Sequence, residues 1–383
     1  MKIASIETYL ARLGNRNVPF VRVLTDEGIH GVGEAYSVGP DQATVKAIAD
    51  LAEWLVGRDP LGLEGLWQLM YAGSRFPGGS ILNAAISGIE HALWDIKGKA
   101  LGVPVYQLVG GKCRDKVRVY QSVGGDTPRA LAQNARRLVE QYGYTALKMF
   151  PFYRGEPLWH DMGLSAVLKD AEDRIRAVRQ AVGDEVDIAL DAHAQVFSPS
   201  TALSLCQVLA PYHPLFLEEP LRPENRATMG YLREKATIPI ATGEQLYTKY
   251  EFRDLLARQG ADILQPDICV VGGLWEMKKV AALAEAEYVT VAPHNPCGPV
   301  ATAVNVHFAL STHNFLILEY RPDDAPDRRA VVDEPMVFED GYLCAPTRPG
   351  LGVDLDLDAC SNQVYKSWHR RFLWRVDGSL GYQ

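Results

Sequence analysis

The sequence predicts an α/β fold: a modified (β/α)8 barrel, TIM-like, with an α+β capping domain formed by the N-terminal segment and the C-terminal tail. Three observations carry that prediction. The first third reads as a strand meander followed by helices. From Val117 onward, short β-rich runs alternate with longer helical runs, eight times. The charged residues at the ends of those runs recur at a nearly constant interval.

Residues 1–113 form the expected cap. Strand signals cover 3–11 and 18–24, the second stopping at the turn cluster Thr25-Asp26-Glu27-Gly28, and 31–36 continue the meander. Helical periodicity follows at 42–56 and 81–100, where Leu82, Ile86, Ile89, Leu93 and Ile96 share one face. Gly102 to Pro104 ends that helix, and Gly110-Gly111-Lys112 reads as a linker. Residues 114–340 form the expected barrel, with strands at 117–122, 146–150, 188–191, 215–218, 240–243, 263–266, 289–292 and 315–318. Helices such as 164–182 and 200–209 lie between them. An open doubly wound sheet is the weaker alternative, because no GxGxxG follows any strand. Residues 341–383 return to turns, as at Pro349-Gly350-Leu351-Gly352, and the closing Trp368, Phe372 and Trp374 point to packing on another surface.

Bulk properties narrow the function. A length of 383 residues suggests two domains. The net charge of −8 argues against a nucleic-acid partner but not against an anionic substrate, since a bound cation inverts the sign locally. No apolar run approaches the roughly 20 residues of a membrane span, and the N-terminus lacks the basic-then-apolar order of a signal peptide. The six cysteines are scattered, which predicts reduced thiols in a cytoplasmic protein.

In a barrel of this kind the active site sits at the C-terminal ends of the strands. The residues at or just past those ends are Lys148, Asp191, Glu218, Glu244, Asp267, His294 and Glu319. From Asp191 on they are spaced by 27, 26, 23, 27 and 25 residues. One strand, one helix and their loops fill each step, so all face the same mouth. Asp191, Glu218 and Glu244 suit a hard, oxygen-preferring cation, Mg2+ first and Mn2+ second. Singly, each acid would pair with a lysine or arginine; together, converging carboxylates without a cation would repel. Lys148 either bridges these acids or holds a substrate carboxylate or oxyanion. Asp267 beside His294 fixes a tautomer and makes a base. His193, two residues past Asp191, shares the mouth, as a second histidine at the metal or as a catalytic group. Cys297 reads as a pocket wall rather than a nucleophile.

These motifs resemble the enolase superfamily, in its mandelate racemase-like subgroup, over essentially the whole chain. The resemblance is carried by Ala92-Leu93-Trp94-Asp95-Ile96-Lys97-Gly98-Lys99, Asp191-Ala192-His193, Phe216-Leu217-Glu218-Glu219-Pro220, Gly243-Glu244-Gln245, Gln265-Pro266-Asp267 with Gly272-Gly273, and Ala292-Pro293-His294. Within the subgroup the likeness is to galactonate dehydratases. It implies Asp191, Glu218 and Glu244 as ligands of one Mg2+, Asp267 and His294 as the base dyad, Glu319 at the substrate carboxylate, Lys148 beside it, and His193 as the acid for a departing hydroxyl. The implied reaction is dehydration of an acid-sugar substrate, an aldonate, to a 2-keto-3-deoxy acid; such a base takes the proton from a 2R carbon. The likeness also implies a homo-oligomer. Two positions depart from the pattern. Racemases of the subgroup carry Lys-x-Lys where this chain has Lys148-Met149-Phe150, and the dehydratase arginine two residues past the acid histidine is Gln195. A racemase, epimerase or cycloisomerase, or a catalytically silent barrel, are the alternatives. Specificity is expected in the cap loops at 36–41 and 75–80, and Tyr153 or Arg154 in the loop after the second strand are candidates to reach the sugar.

Overall fold

The computed structural model describes residues 1–36, 38–322, 325–362, 365–368 and 373–381; Ser37 of the expected specificity loop and the expected packing aromatic Phe372 lie outside them. The cap opens with an antiparallel sheet of β1 (Ile3–Leu13), β2 (Arg16–Thr25) and β3 (His30–Glu34). Helices α1 (Asp41–Leu55), α2 (Leu63–Gly73), α3 (Ser80–Leu101) and the short α4 (Val105–Leu108) follow. Helix α2 is not among the sequence expectations. Gly62 and Gly65 mask it, yet Leu63, Leu66, Trp67 and Met70 keep helical spacing and are buried. The amphipathic face expected of α3 is present, with Leu82 half-buried. The helix is nevertheless buried nearly all round, from Asn83 to Ile96, because the cap sheet covers one side and the barrel the other.

The barrel alternates β4 (Lys116–Val123), α5 (Pro128–Tyr142), β5 (Ala146–Met149), α6 (Leu164–Val182), β6 (Asp187–Asp191), α7 (Pro199–Leu209), β7 (Phe216–Glu218) and α8 (Arg226–Lys235). It continues through β8 (Ile240–Thr242), α9 (Thr248–Ala257), β9 (Ile263–Leu264), α10 (Leu274–Ala286), β10 (Thr290–Val291), α11 (Pro299–Leu310) and β11 (Leu318–Glu319). Neighbouring strands from β4 to β10 pair in parallel. β11 pairs with β4, and a Val291–Phe315 bridge closes the ring. After β11 comes only the short α12 (Pro326–Arg329), so the eighth long helix of a full barrel is replaced by the tail.

The tail divides its contacts. β12 (Phe338–Glu339) and β13 (Tyr342–Cys344) stay on the barrel, β13 antiparallel to β4. The chain then reaches the cap, where Gly350 bridges to Pro104, Asp354 meets His30, and α13 (Leu357–Ser361) packs on β1. The return to the cap thus begins beyond 341, the boundary expected from turn residues, because Leu343 still pairs with Val117. A final hairpin of β14 (Leu373–Trp374) and β15 (Leu380–Gly381) lies on the loop after β5, where Arg375 Nε is 2.9 Å from Asp161.

A layer of inward side chains fills the barrel: Tyr120, Ala146, Ala189, Phe216, Ala241, Ile263, Ala292 and Ile317, one from each strand region. Small and large residues interdigitate, and this plug is the floor of the site.

Candidate active site

Strand periodicity sets the next layer. Two residues beyond each member of the floor, the side chain again points inward. That step reaches Ser122, Lys148, Asp191, Glu218, Gly243, Gln265, His294 and Glu319. Only the β8 position lacks a side chain. Gly243 (φ +141°) turns there, and Glu244 follows it into the mouth. Gln265 went unnoticed as a site residue in the sequence, although the same count finds it; its Nε2 donates to Glu218 Oε2 at 2.9 Å. Ser122, Lys148, Asp191, Glu244, His294 and Glu319 line, together with Tyr36 and Val38 of the cap, a cavity of about 580 Å³.

Lys148 stands at the centre. Its Nζ lies 2.8 Å from Glu218, 3.1 Å from Glu319 and 3.3 Å from Asp191, all buried. Glu244 is held apart, 3.3 Å from His294 Nε2. The three acids therefore do not close on a single point; one ammonium and one imidazole spread them. Among the described residues, the one trio of ligand-type side chains with donor atoms within 4.8 Å of one another is instead Glu34, Cys269 and Cys297, behind the dyad. Burial pushes the Cys269 thiol up to about 12, so that trio carries protonated sulfur.

Asp267 and His294 meet as expected, Oδ2 to Nδ1 at 2.8 Å, across a parallel bridge between their strand ends. Asp267 Oδ1 accepts from Cys269 N, and Cys297 Sγ lies 3.6 Å from Oδ2, so the carboxylate is fixed from behind. Burial opposes charge on His294, but Glu244, the Asp267 hydrogen bond and Glu319 outweigh it and raise its pKa to about 10. Glu319 Oε2 also accepts from Asn295 N at 3.1 Å.

His193 reaches the mouth on a left-handed turn (φ +49°, Ala194 +55°), its N–H donating to Asp191 Oδ1 at 2.8 Å and its Nε2 3.2 Å from Oδ2. Phe150 packs on its ring, 5.6 Å between centroids, where a lysine would give a second base. Arg154 stacks over Phe150 at 4.5 Å, while Gln195 is drawn aside to Trp159 Nε1 at 3.1 Å; neither lines the cavity, and Tyr153 does not either. Glu219, beside Glu218, accepts from the Thr242 hydroxyl, Gly243 N and Gln245, and so locks the β7 and β8 ends together. Burial, then Glu244, raises it to about 8.

Five carboxylates (Asp191, Glu218, Glu244, Asp267 and Glu319) thus face two cationic groups, Lys148 and His294. Burial and the neighbouring Asp191 hold the Glu218 carboxyl well above its ordinary range, the mark of surplus negative charge. All-oxygen donors with that surplus fit a divalent cation.

Residues 130–359 match the Enolase C-terminal domain-like family, and residues 3–110 match the Mandelate racemase / muconate lactonizing enzyme N-terminal domain. This chain belongs to the enolase superfamily. Members of this superfamily generally bind a divalent metal. Like other members, it has relatives along its full length. A D-galactonate dehydratase of Variovorax paradoxus is 38% identical over 389 residues, 99% of each chain, and one of Ralstonia pickettii is 38% identical over 392 residues, again 99% of each. An enolase crystal structure from Agrobacterium radiobacter, provisionally assigned to galactarate dehydration and holding Na and L-malate, superimposes with a TM-score of 0.94 at 43% identity over 100% of both chains. With such relatives this superfamily member is a hydro-lyase.

Proposed function

We propose that the enzyme dehydrates an acid sugar whose reacting end is that of an aldonate, giving a 2-keto-3-deoxy acid. The observation that carries this is the pair of histidines set on different strand ends, His294 backed by Asp267 at 2.8 Å and His193 beside Asp191 at 3.2 Å. The full-length likeness to D-galactonate dehydratases supports it.

Asp191, Glu218 and Glu244 would hold a divalent cation, Mg2+ or else Mn2+, whose charge acidifies the α-C–H of a bound carboxylate. Asp267 accepts the Nδ1–H of His294; once Glu244 turned to the cation, Nε2 would be left without the proton that Glu244 favours there, and its lone pair could take the substrate's. Lys148 and Glu319 flank the carboxylate and stabilise the charge that moves onto it. His193 gives its proton to the 3-hydroxyl as the C3–O bond breaks and water leaves; the enol then becomes the 2-keto acid. Phe150 leaves no second base, which disfavours racemisation and fits a 2R substrate. The six free cysteines suit a cytoplasmic enzyme.

Two variants followed by NMR in D2O test the roles. His294→Asn is expected to lose both α-hydrogen exchange and dehydration. His193→Asn should lose dehydration by about 10²–10⁴-fold while exchange continues. Normal dehydration by His193→Asn, or turnover confined to 2S acids, would overturn the assignment.

A further inference from the structure

His193 stands on a turn that its own backbone disfavours. It and Ala194 both lie in the left-handed region, at φ +49° and +55°. Two such residues in succession persist only where their surroundings fix them. Backbone groups do so from the strand side: His193 N donates to Asp191 Oδ1, Ala194 N to Glu219 O at 2.7 Å and Gln195 N to Ala192 O at 3.0 Å. Beyond the turn the tie is a side chain, Gln195, whose Oε1 accepts from Trp159 Nε1 at 3.1 Å.

Trp159 bears on His193 by a second route. Its indole stacks on Phe152 at 4.1 Å, Phe152 meets Phe150 edge-on at 5.5 Å, and Phe150 packs on the imidazole. The indole is itself fixed. His160 stacks on it at 3.9 Å, and two rings this close must take opposite faces. Trp159 begins a short 3-10 turn, Trp159–Asp161, and the C-terminal hairpin clasps that turn. Arg375 Nε donates to Asp161 Oδ1 at 2.9 Å and its Nη2 to His160 O at 3.0 Å, while Val376 N donates to Asp161 Oδ2 at 3.2 Å. The Asp161 side chain is only 4% exposed, so this ion pair is better shielded than one at the surface. Neither Trp159 nor Gln195 lines the cavity, so whatever they contribute passes through His193.

We propose that Trp159 and Gln195 are positioning residues: clasped by the C-terminal hairpin, the indole sets both the turn and the ring of His193 in the mouth. This deepens the acid-sugar reading above, on which it rests for the role of His193 as the acid. It also gives the amide at 195 a task. A guanidinium there would only donate and could not accept from the indole, so this glutamine and this tryptophan belong together.

The test reads the imidazole and the reaction separately. In histidine-labelled protein the NMR signal of His193 is assigned by its loss in His193→Asn. Trp159→Phe keeps an aromatic ring and deletes the N–H; Gln195→Leu keeps the shape and deletes the acceptor. Both should move the His193 signal in the same direction. Both should also lower kcat for dehydration of D-galactonate about 10–100-fold, while KM and α-hydrogen exchange in D2O stay within about twofold. The double variant should be no worse than the worse single one, because one bond is deleted twice. Arg375→Gln, which loosens the hairpin, should act in the same direction. An unmoved His193 signal would overturn the positioning role, and so would additive losses. A fall in exchange as large as the fall in dehydration would overturn it too, since a general defect also misplaces Asp191. The signal is read on the protein alone, so it decides the clamp even where no acid is turned over. A signal that moves as expected, with normal dehydration by His193→Asn, would uphold the clamp and sink the acid reading. Loss of dehydration alone in His193→Asn, with signal and rate unmoved in the other variants, would uphold the acid and sink the clamp.

Discussion

Glu218 shows how a single side chain can oppose stability and, on the proposed reading, still be wanted by the chemistry. It is fully enclosed, it meets Lys148 and Gln265, and burial with three neighbouring acids makes its charge unfavourable. Glu218→Gln removes that charge in place. Turnover is expected to fall by about 10²-fold or more, while the metal-free protein melts at a higher temperature near pH 8. Unchanged activity in metal-depleted buffer, or a lower melting point, would refute its place in the cation site. Such residues were legible in the sequence because strand ends recur at a fixed step and inward positions alternate. Lys148, Asp191, Glu218, His294 and Glu319 all obey that count. Glu244 sits one residue beyond it, displaced by Gly243, yet the spacing still found it. Tyr36 heads a cap loop where specificity was expected, but Arg16 and Arg321, which also line the cavity, were not legible: one stands at the very start of β2 and the other just past β11, where no periodicity sets the direction of a side chain.

Among elements, the barrel strands were found where apolar runs are bounded by turns, but the ladders are shorter than those runs. β9, β10 and β11 have two paired residues each, because the inward side chains, not the pairing, extend the apolar signal. Helix α2 escaped because Gly62 precedes it and Gly65 interrupts its first turn, and its burial depends on partners outside itself: Trp67 Nε1 donates to Gly272 O on the barrel. Helix α11 offers a titration test. His307 Nδ1 accepts from Tyr106 N at 3.0 Å, so Nε2 carries the hydrogen given to Leu351 O at 3.1 Å. Burial lowers its pKa to about 4. The unfolded chain takes up this proton near pH 6.5 and the folded one refuses it until near 4, so stability falls as pH drops through that window. Urea midpoints between pH 7 and 4.5 should show this, and His307→Asn should be less stable at pH 7 with a shallower acid slope. An equal slope in the variant would rule His307 out as the cause.

The whole molecule is joined by carboxylates of the cap placed at helix starts of the barrel. Glu34, ending β3, accepts from Gly298 N and Ala301 N at the start of α11. Glu90, in the middle of α3, accepts from Leu274 N and Trp275 N at the start of α10, each at 2.9 Å. Gly273 (φ +94°) makes the second contact achievable, since a Cβ there would lie 2.3 Å from Glu90 Oε2. Both acids complement the positive end of a helix and satisfy donors that have no partner within it. Glu90→Ala would strand the buried Leu274 N–H and Trp94 indole N–H and the half-buried Trp275 N–H, and is expected to cost about 1–3 kcal/mol for each buried donor left unsatisfied. Unfolding should remain a single transition, because cap and barrel share these bonds; two resolved transitions, or a loss under about 0.5 kcal/mol, would count against the joint. None of this shows in the sequence, where Glu90 looks like one more polar residue of a helix.

That joint also bears on how such proteins can be recombined. A cap taken from one relative and set on the barrel of another brings its own loops to the mouth, where specificity is expected to lie. It also brings the acids that begin two helices of its new host. A graft that moves the loops but not residues 34 and 90 keeps the host's helix starts intact. A graft of the entire cap succeeds only where the incoming chain supplies acids at both places and the host supplies a glycine opposite the second. Exchange of specificity between members of this superfamily should therefore proceed loop by loop more readily than domain by domain.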